Sequence, residues 1–249
     1  MKKRIYHIGL YFAIQILSLG AYAKIVLPAM FSDNMVLQQN TKVAIWGEAD
    51  KSATITITTS WNNKKYNTRS DANGKWRLSI MTEKAGGPYT IRIQEKDLLQ
   101  LNNVMLGEVW FCSGQSNMEM PMRGFKNQPV LGSNEILLDA DNDQLRLFEI
   151  KKIASPQPLN NVAGQWKLSD AASAREFSAV AFMYGLMLQQ KLKVPVGIIL
   201  SSWGGTRIES WMEQESLKAF QVEKDAQSFE ESKEKNKLNS TLYNGMVAP

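Results

Sequence analysis

Ser116 has the neighbours of a nucleophile in this 249-residue chain. The run Gly107-Glu108-Val109-Trp110-Phe111-Cys112-Ser113-Gly114-Gln115-Ser116-Asn117-Met118 reads as a buried strand that ends in a serine on a tight turn. Val109, Trp110 and Phe111 are β-favouring residues in a short apolar run, and Gly114 lets the backbone bend without a Cβ penalty. The carboxyl end of such a strand is where open α/β sheets hold their sites. Backbone N–H groups around Ser116 and Asn117 would face a developing oxyanion. Gly, Gln, Ser and Asn are also ordinary loop formers, so the turn alone leaves both readings open.

The string GEVWFCSGQSNMEMPM resembles the nucleophile block of the SGNH-type carbohydrate esterases known as sialate O-acetylesterases. A second string, Ser201-Ser202-Trp203-Gly204-Gly205-Thr206-Arg207-Ile208-Glu209-Ser210-Trp211-Met212, resembles the same family's glycine block, and the two stand in the family's order. A third, Leu27-Pro28-Ala29-Met30-Phe31-Ser32-Asp33-Asn34-Met35-Val36-Leu37-Gln38, looks like its usual mature N-terminus. The resemblance implies that Ser116 is the nucleophile and that its own N–H is one oxyanion donor. Gly204 or Gly205 would supply the second, because glycine lets backbone approach a carbonyl closely. Gln115 and Asn117 flank the nucleophile and either orient the turn or bind substrate. Arg207 either faces the cleft, where it would bind a sugar carboxylate or hydroxyl, or is a surface arginine.

A serine hydroxyl needs a base within hydrogen-bond reach. The only histidine is His7, near the amino terminus. In the resembled family the base is a histidine in a D-x-x-H block and the oxyanion hole is completed by an asparagine in a G-E-S-N-like block; neither block occurs in this chain. The closing string Leu242-Tyr243-Asn244-Gly245-Met246-Val247-Ala248-Pro249 looks like the segment that precedes the second of these. The expectation is a partial domain, with a second polypeptide carrying the missing blocks as one way to complete it. Glu119 shares a helical face with Ser116, but a solvated carboxylate titrating near pH ~4 is a poor acceptor for a serine proton at neutral pH. It reads as a first-turn acid. Asp141, Asp143 and Glu209 offer no better base.

Met1 to Ala23 has a basic start (Lys2, Lys3, Arg4), an apolar stretch from Ile8 to Leu19 and Ala21-Tyr22-Ala23 as a cleavage site, the pattern of a secretory signal peptide. The apolar core is too short for a comfortable membrane span, so a periplasmic or secreted protein is expected. Three of the 29 basic residues and none of the 24 acidic ones lie in this leader, which leaves a formal charge of +2. No basic cluster interleaved with aromatics suggests nucleic acid; Lys151-Lys152 and the mixed charges from Glu223 to Lys237 read as solvated faces. The one cysteine, Cys112, reads as a buried, unreactive thiol. No Cys/His cluster has metal-ligand spacing, and no cofactor is expected.

The elements that must position Ser116 change character along the chain. From Lys42 to Gln94 the apolar residues alternate in short runs (43–46, 53–58, 76–80 and 89–93) separated by turn signals such as Asp71-Ala72-Asn73-Gly74, so 24–105 reads as an antiparallel β-sandwich module. After Leu106 strands alternate with longer helical stretches: a strand over 146–150, an amphipathic helix over 177–192, a buried strand over 194–200 and a last helix over 236–246. That is an α/β layout, and 106–249 reads as an incomplete SGNH-like hydrolase domain. Trp46, Trp76 and Trp110 are expected in the core, while Trp203 and Trp211 lie near enough to the glycine block to stack on sugar rings.

Together these features predict an exported carbohydrate O-acetylesterase acting on O-acetylated sugars, above all sialic acid, without metal, cofactor, nucleic acid or membrane. The resemblance fits a plant-polysaccharide acetylesterase equally. A carbohydrate-binding remnant without turnover is the alternative.

Overall fold

Alternating residues in the first half of the chain fold as short strands in the computed structural model, which describes residues 25–249. The expected leader and His7 lie outside the described residues. The strands are β1 (Val36–Gln38), β2 (Lys42–Glu48), β3 (Thr54–Thr59), β4 (Lys65–Arg69), β5 (Lys75–Met81) and β6 (Gly86–Gln94). β4, written Lys-Tyr-Asn-Thr-Arg, escapes the hydrophobic pattern because it is an edge strand with no buried residue.

β7 (Leu98–Gly114) then runs for 17 residues and joins the two halves. Its first part pairs antiparallel with β6, and its last part, Glu108 to Gly114, pairs parallel with β10 (Val196–Ser202). The division expected at 105/106 falls inside this strand. Between them the chain forms the short helices α1 (Ser116–Glu119) and α2 (Ser133–Leu138), strands β8 (Asn142–Glu149) and β9 (Trp166–Ser169), and helices α3 (Ala171–Glu176) and α4 (Ala179–Leu192). The result is a mixed α/β fold: an eight-stranded sheet in the order β4-β3-β6-β7-β10-β8-β9 with β1 on β7, and a separate β2-β5 pair.

β10 is buried along its whole length, as a parallel strand covered on both faces must be. One face meets a core that includes Ile45, Ile57, Ile91, Trp76, Phe148, Trp166 and Ile199 and therefore spans both halves. The other face meets Phe182 and Ala181 of α4.

α4 starts two residues later than the pattern predicts. Ser178 caps it by accepting from the Ala181 N–H at 3.2 Å, while Phe177 ends α3 in an extended conformation. The helix is not cleanly amphipathic, because Val180 and Met187 lie on its exposed side. The last helix expected over 236–246 does not form as one piece. Ser240, at φ 62°, interrupts it, leaving a 3₁₀ turn at Lys235–Lys237 and a π-helical turn at Tyr243–Val247.

Trp110 and Phe111 are the clearest departure from expectation: they are 41% and 48% exposed rather than buried. β1 occupies the edge of β7 opposite β10 only as far as Gly107. Beyond that point the edge carries no strand among the described residues, and the Val109 N–H is taken instead by the Gln38 side chain at 2.9 Å.

Candidate active site

Three parallel strands deliver the site. Ser202 lies level with Gly114, and Leu200 lies level with both Cys112 and Glu149, so the chain leaves β7, β10 and β8 at the same carboxyl edge. The Trp203 N–H donates to the Gly114 carbonyl at 3.1 Å and holds the first two exits together. Gly114 has no left-handed φ. What favours glycine there is packing, since a Cβ would lie 3.0 Å from that of Met118.

Ser116 opens α1 and is exposed. Its Oγ donates to Gln115 Oε1 at 3.1 Å, and its N–H donates to the same oxygen at 3.3 Å. Gln115 Nε2 in turn donates to the Thr206 carbonyl at 3.1 Å, so Gln115 links the nucleophile turn to the glycine turn. Asn117 is exposed, and its side chain makes no hydrogen bond among the described residues.

The two glycines serve different needs. A Cβ on Gly204 would sit 2.5 Å from Glu119 Oε2 and 3.3 Å from Ser116 Oγ, so glycine favours the close approach of this turn to the Glu119 carboxylate and the serine. Gly205 has φ +72° and open space where a Cβ would be, so its requirement is conformational. The Gly204 N–H, one of the two expected oxyanion donors, donates to the Glu119 carboxylate, whose other oxygen pairs with Lys152. Lys152 also lies over the Trp203 ring, 5.9 Å from its centroid.

Arg207 lines a cleft of about 380 Å³ with Gln115, Thr206, Ile208 and Trp211. Its guanidinium is nonetheless engaged: Nε donates to the Lys237 carbonyl at 2.9 Å, and Nη2 to Asp225 at 3.1 Å and Asn239 at 3.0 Å. It fastens the 225–239 segment beside the cleft. Trp211 donates to Thr206 Oγ1 at 2.9 Å, and Thr206 Oγ1 donates to the Trp203 carbonyl at 2.7 Å, which fixes the turn after Gly205.

Glu149, at the end of β8, lines a neighbouring cleft of about 830 Å³ together with Lys152 and Glu176. Desolvation pushes its carboxyl above the ordinary range; Lys152 and Lys167 oppose the shift, and Glu119 and Glu176 add to it. Cys112 is half-buried rather than fully buried, and burial pushes its thiol up, away from the reactive thiolate. No group of three or more His, Cys, Asp or Glu able to hold a metal ion occurs among the described residues.

The residues that sequence reasoning undervalued are Glu119 and Lys152. Read as a first-turn acid and a solvated cation, they meet across 33 residues beside the nucleophile. The one available signal was the helical spacing of Glu119 from Ser116.

The fold is similar to that of a carbohydrate acetylesterase. A crystal structure of such an enzyme from Xanthomonas citri matches with a TM-score of 0.80 and 33% identity, covering 91% of this chain and 48% of that one. Sialate O-acetylesterase from Homo sapiens is 30% identical over 236 residues, and that from Mus musculus is 32% identical over 213, covering 88% and 78% of this chain. The chain belongs to the sialate O-acetylesterase family. It spans about half the length of these relatives, 44% of the human protein and 39% of the mouse protein. No protein-family profile matches it.

Proposed function

We propose that this chain is the serine-bearing part of an exported carbohydrate O-acetylesterase whose substrate is an O-acetylated sugar, sialic acid first among them. The observation that carries the reading is the approach of Gly204 to Ser116, 3.3 Å from a built Cβ to Oγ, at the carboxyl edge of parallel strands. Residues 24–105 act as a β-sandwich module and 106–249 as part of an SGNH-type domain. The leader at 1–23 directs the protein to the periplasm or outside the cell.

In the reaction Ser116 Oγ attacks the acetyl carbonyl and its proton passes to a general base. The sugar hydroxyl leaves with that proton, and water then attacks the acetyl-serine and releases acetate. Backbone N–H groups of the nucleophile and glycine turns stabilise the tetrahedral oxyanion. The chain beyond His7 contains no histidine, so the base is brought by further polypeptide corresponding to the rest of the relatives' length. No metal or cofactor takes part in this reading.

The lack of a histidine also favours a second reading, a carbohydrate-binding protein that turns nothing over. The two part in one assay. The chain, joined to or mixed with a polypeptide carrying the missing blocks, should release acetate from O-acetylated sialic acid, and Ser116→Ala should abolish the release. Sugar binding with no acetate release in the completed protein would establish the second reading. Release from acetylated xylan but not from sialic acid would move the substrate to plant polysaccharide.

A further inference from the structure

Trp46, expected in the core, is only half-buried and lines a groove of about 590 Å³. In the antiparallel β2–β5 pair Trp46 lies opposite Arg77 and Glu48 opposite Lys75, so these four side chains share one face of the pair. Asn160 and Asn161, from the segment between β8 and β9, also line the groove, which therefore lies where the two halves of the chain meet. Its walls are tied together. Val26 and Glu48 exchange backbone hydrogen bonds at 2.9 and 2.8 Å, and the Ala29 N–H donates to Asn161 Oδ1 at 2.9 Å. The groove shares no lining residue with the cleft at Gln115 and Arg207. Asn161 also lines the cleft of about 830 Å³ that holds Lys152, which makes those two neighbours.

The lining combines an aromatic ring, amides and an excess of cations. Arg69, Lys75 and Arg77 line the groove with two acids, Glu48 and Asp71, and Asp71 Oδ1 already accepts from the Asn73 and Lys75 N–H groups at 2.7 and 2.9 Å. An anion is therefore favoured over a cation. The Arg77 guanidinium stands over the Trp46 ring, 5.4 Å from its centroid, where cation–π attraction holds it. Neither Arg77 nor Lys75 makes an ion pair or a side-chain hydrogen bond among the described residues. A planar fork with unfilled donors suits a carboxylate, which it grips through two parallel hydrogen bonds. Asn161 uses only its Oδ1, so its Nδ2 donors remain for hydroxyl oxygens, and Glu48 can accept from hydroxyls. Trp76 also lines the groove, and its buried indole N–H has no acceptor among the described residues, a need that a ligand oxygen would meet. We propose that this groove is a carbohydrate-binding site, separate from the cleft at Ser116, for a pyranose that bears a carboxylate, with Arg77 as its anion anchor.

Calorimetric titration of the full chain with sialyllactose, a hyaluronan tetrasaccharide and lactose tests the proposal. The first carries a nonulosonic carboxylate, the second carries uronates and the third carries no charge. An acidic glycan should bind about tenfold or more tighter than lactose, as hydrogen bonds to a charged group imply. Whichever acidic glycan binds tighter identifies the sugar. Arg77→Ala should weaken that binding about tenfold or more, and Arg77→Lys by less, because it keeps the charge and loses the fork. Raised salt should weaken it as well, since Arg77 is exposed. That exposure also means that Arg77→Ala removes no core side chain.

A second arm locates the ligand. In the ¹⁵N-labelled chain the indole N–H signals of Trp46 and Trp76 should move on titration with the acidic glycan, while the backbone amides of Ser116 and Gly204 stay in place. Movement at Ser116 and Gly204 with still indoles would put the sugar at the nucleophile and overturn the proposal. It is overturned equally by the absence of binding to either acidic glycan, by lactose binding as tightly as both, or by undiminished affinity in Arg77→Ala. None of these measurements depends on turnover, so a completed enzyme that released no acetate would refute the esterase reading and leave this site standing.

Discussion

The indole of Trp110 stands edge-on to the ring of Tyr184, centroids 5.4 Å apart and planes at 86°. This is a favourable aromatic geometry, yet it lies at the surface. Phe111 on the same strand, and Val180 and Met187 on the helix that carries Tyr184, are about half exposed. Among the described residues no strand pairs with the edge of β7 beside them beyond Gly107. An unpaired strand edge bordered by apolar side chains invites association. The 25–249 region should therefore bind an environment-sensitive apolar dye and self-associate, and Phe111→Thr should reduce both. A monomer with no dye-accessible surface and a single cooperative unfolding transition would contradict this.

Activity should depend on polypeptide beyond this chain. Loss of general-base help alone costs about 10²–10⁴-fold, so the 249-residue chain should be almost inert toward p-nitrophenyl acetate. Substantial activity that survived Ser116→Ala would remove the nucleophile assignment. Activity that Ser116→Ala abolished would keep the nucleophile and require a base among the carboxylates.

The two glycines should respond differently to alanine. Gly205→Ala places a Cβ in open space at φ +72°, so it should cost only the left-handed penalty of roughly 1–2 kcal/mol. Gly204→Ala brings a Cβ to within 2.5 Å of Glu119 Oε2 and 3.3 Å of Ser116 Oγ, so the Glu119 carboxylate must move and its contact with the glycine turn is disturbed. Denaturant unfolding of both variants gives the comparison, and a smaller loss for Gly204→Ala would argue against the close packing.

Asp170 and Ser173 cap α3 reciprocally: the Ser173 N–H donates to Asp170 Oδ1 at 2.6 Å, and the Asp170 N–H donates to Ser173 Oγ at 3.0 Å. Asp170→Ala should cost about 1 kcal/mol at neutral pH. The Ser173 N–H holds the Asp170 carboxyl below its ordinary value. Its ionised form therefore stabilises the fold above the unfolded-state value, and that stabilisation is lost as pH falls through the lower folded value. The gap between wild type and Asp170→Ala in urea should narrow in acid. A gap that stayed constant with pH would show that the charge contributes nothing.

The exported protein should begin at Lys24. N-terminal sequencing of material recovered outside the cytoplasm reads this directly, and retention of Met1 would refute cleavage after Ala23.

Local pattern in the sequence is enough to expect the strands over 43–46, 76–80 and 89–93 and the buried strand after Pro195, because each carries its period or its apolar run within a few residues. It also marks Ser116 and the Gly204-Gly205 pair as the residues of interest. Pairing lies beyond it. That β7 is one strand serving two halves, that its outer edge is open and that Trp110 is consequently exposed depend on which strands lie beside it, and an apolar residue is written the same way in a core and at an uncovered edge. The break at Ser240 and the late start of α4 follow from local φ and capping geometry that the apolar period does not encode. Glu119 is the sharpest case. Its spacing from Ser116 is local, but its role depends on an N–H 85 residues away and an ammonium 33 residues away. Only the parallel alignment of β7, β10 and β8 brings those groups to one carboxylate, so the tertiary fold decides whether that acid is a solvated surface charge or a partner to both.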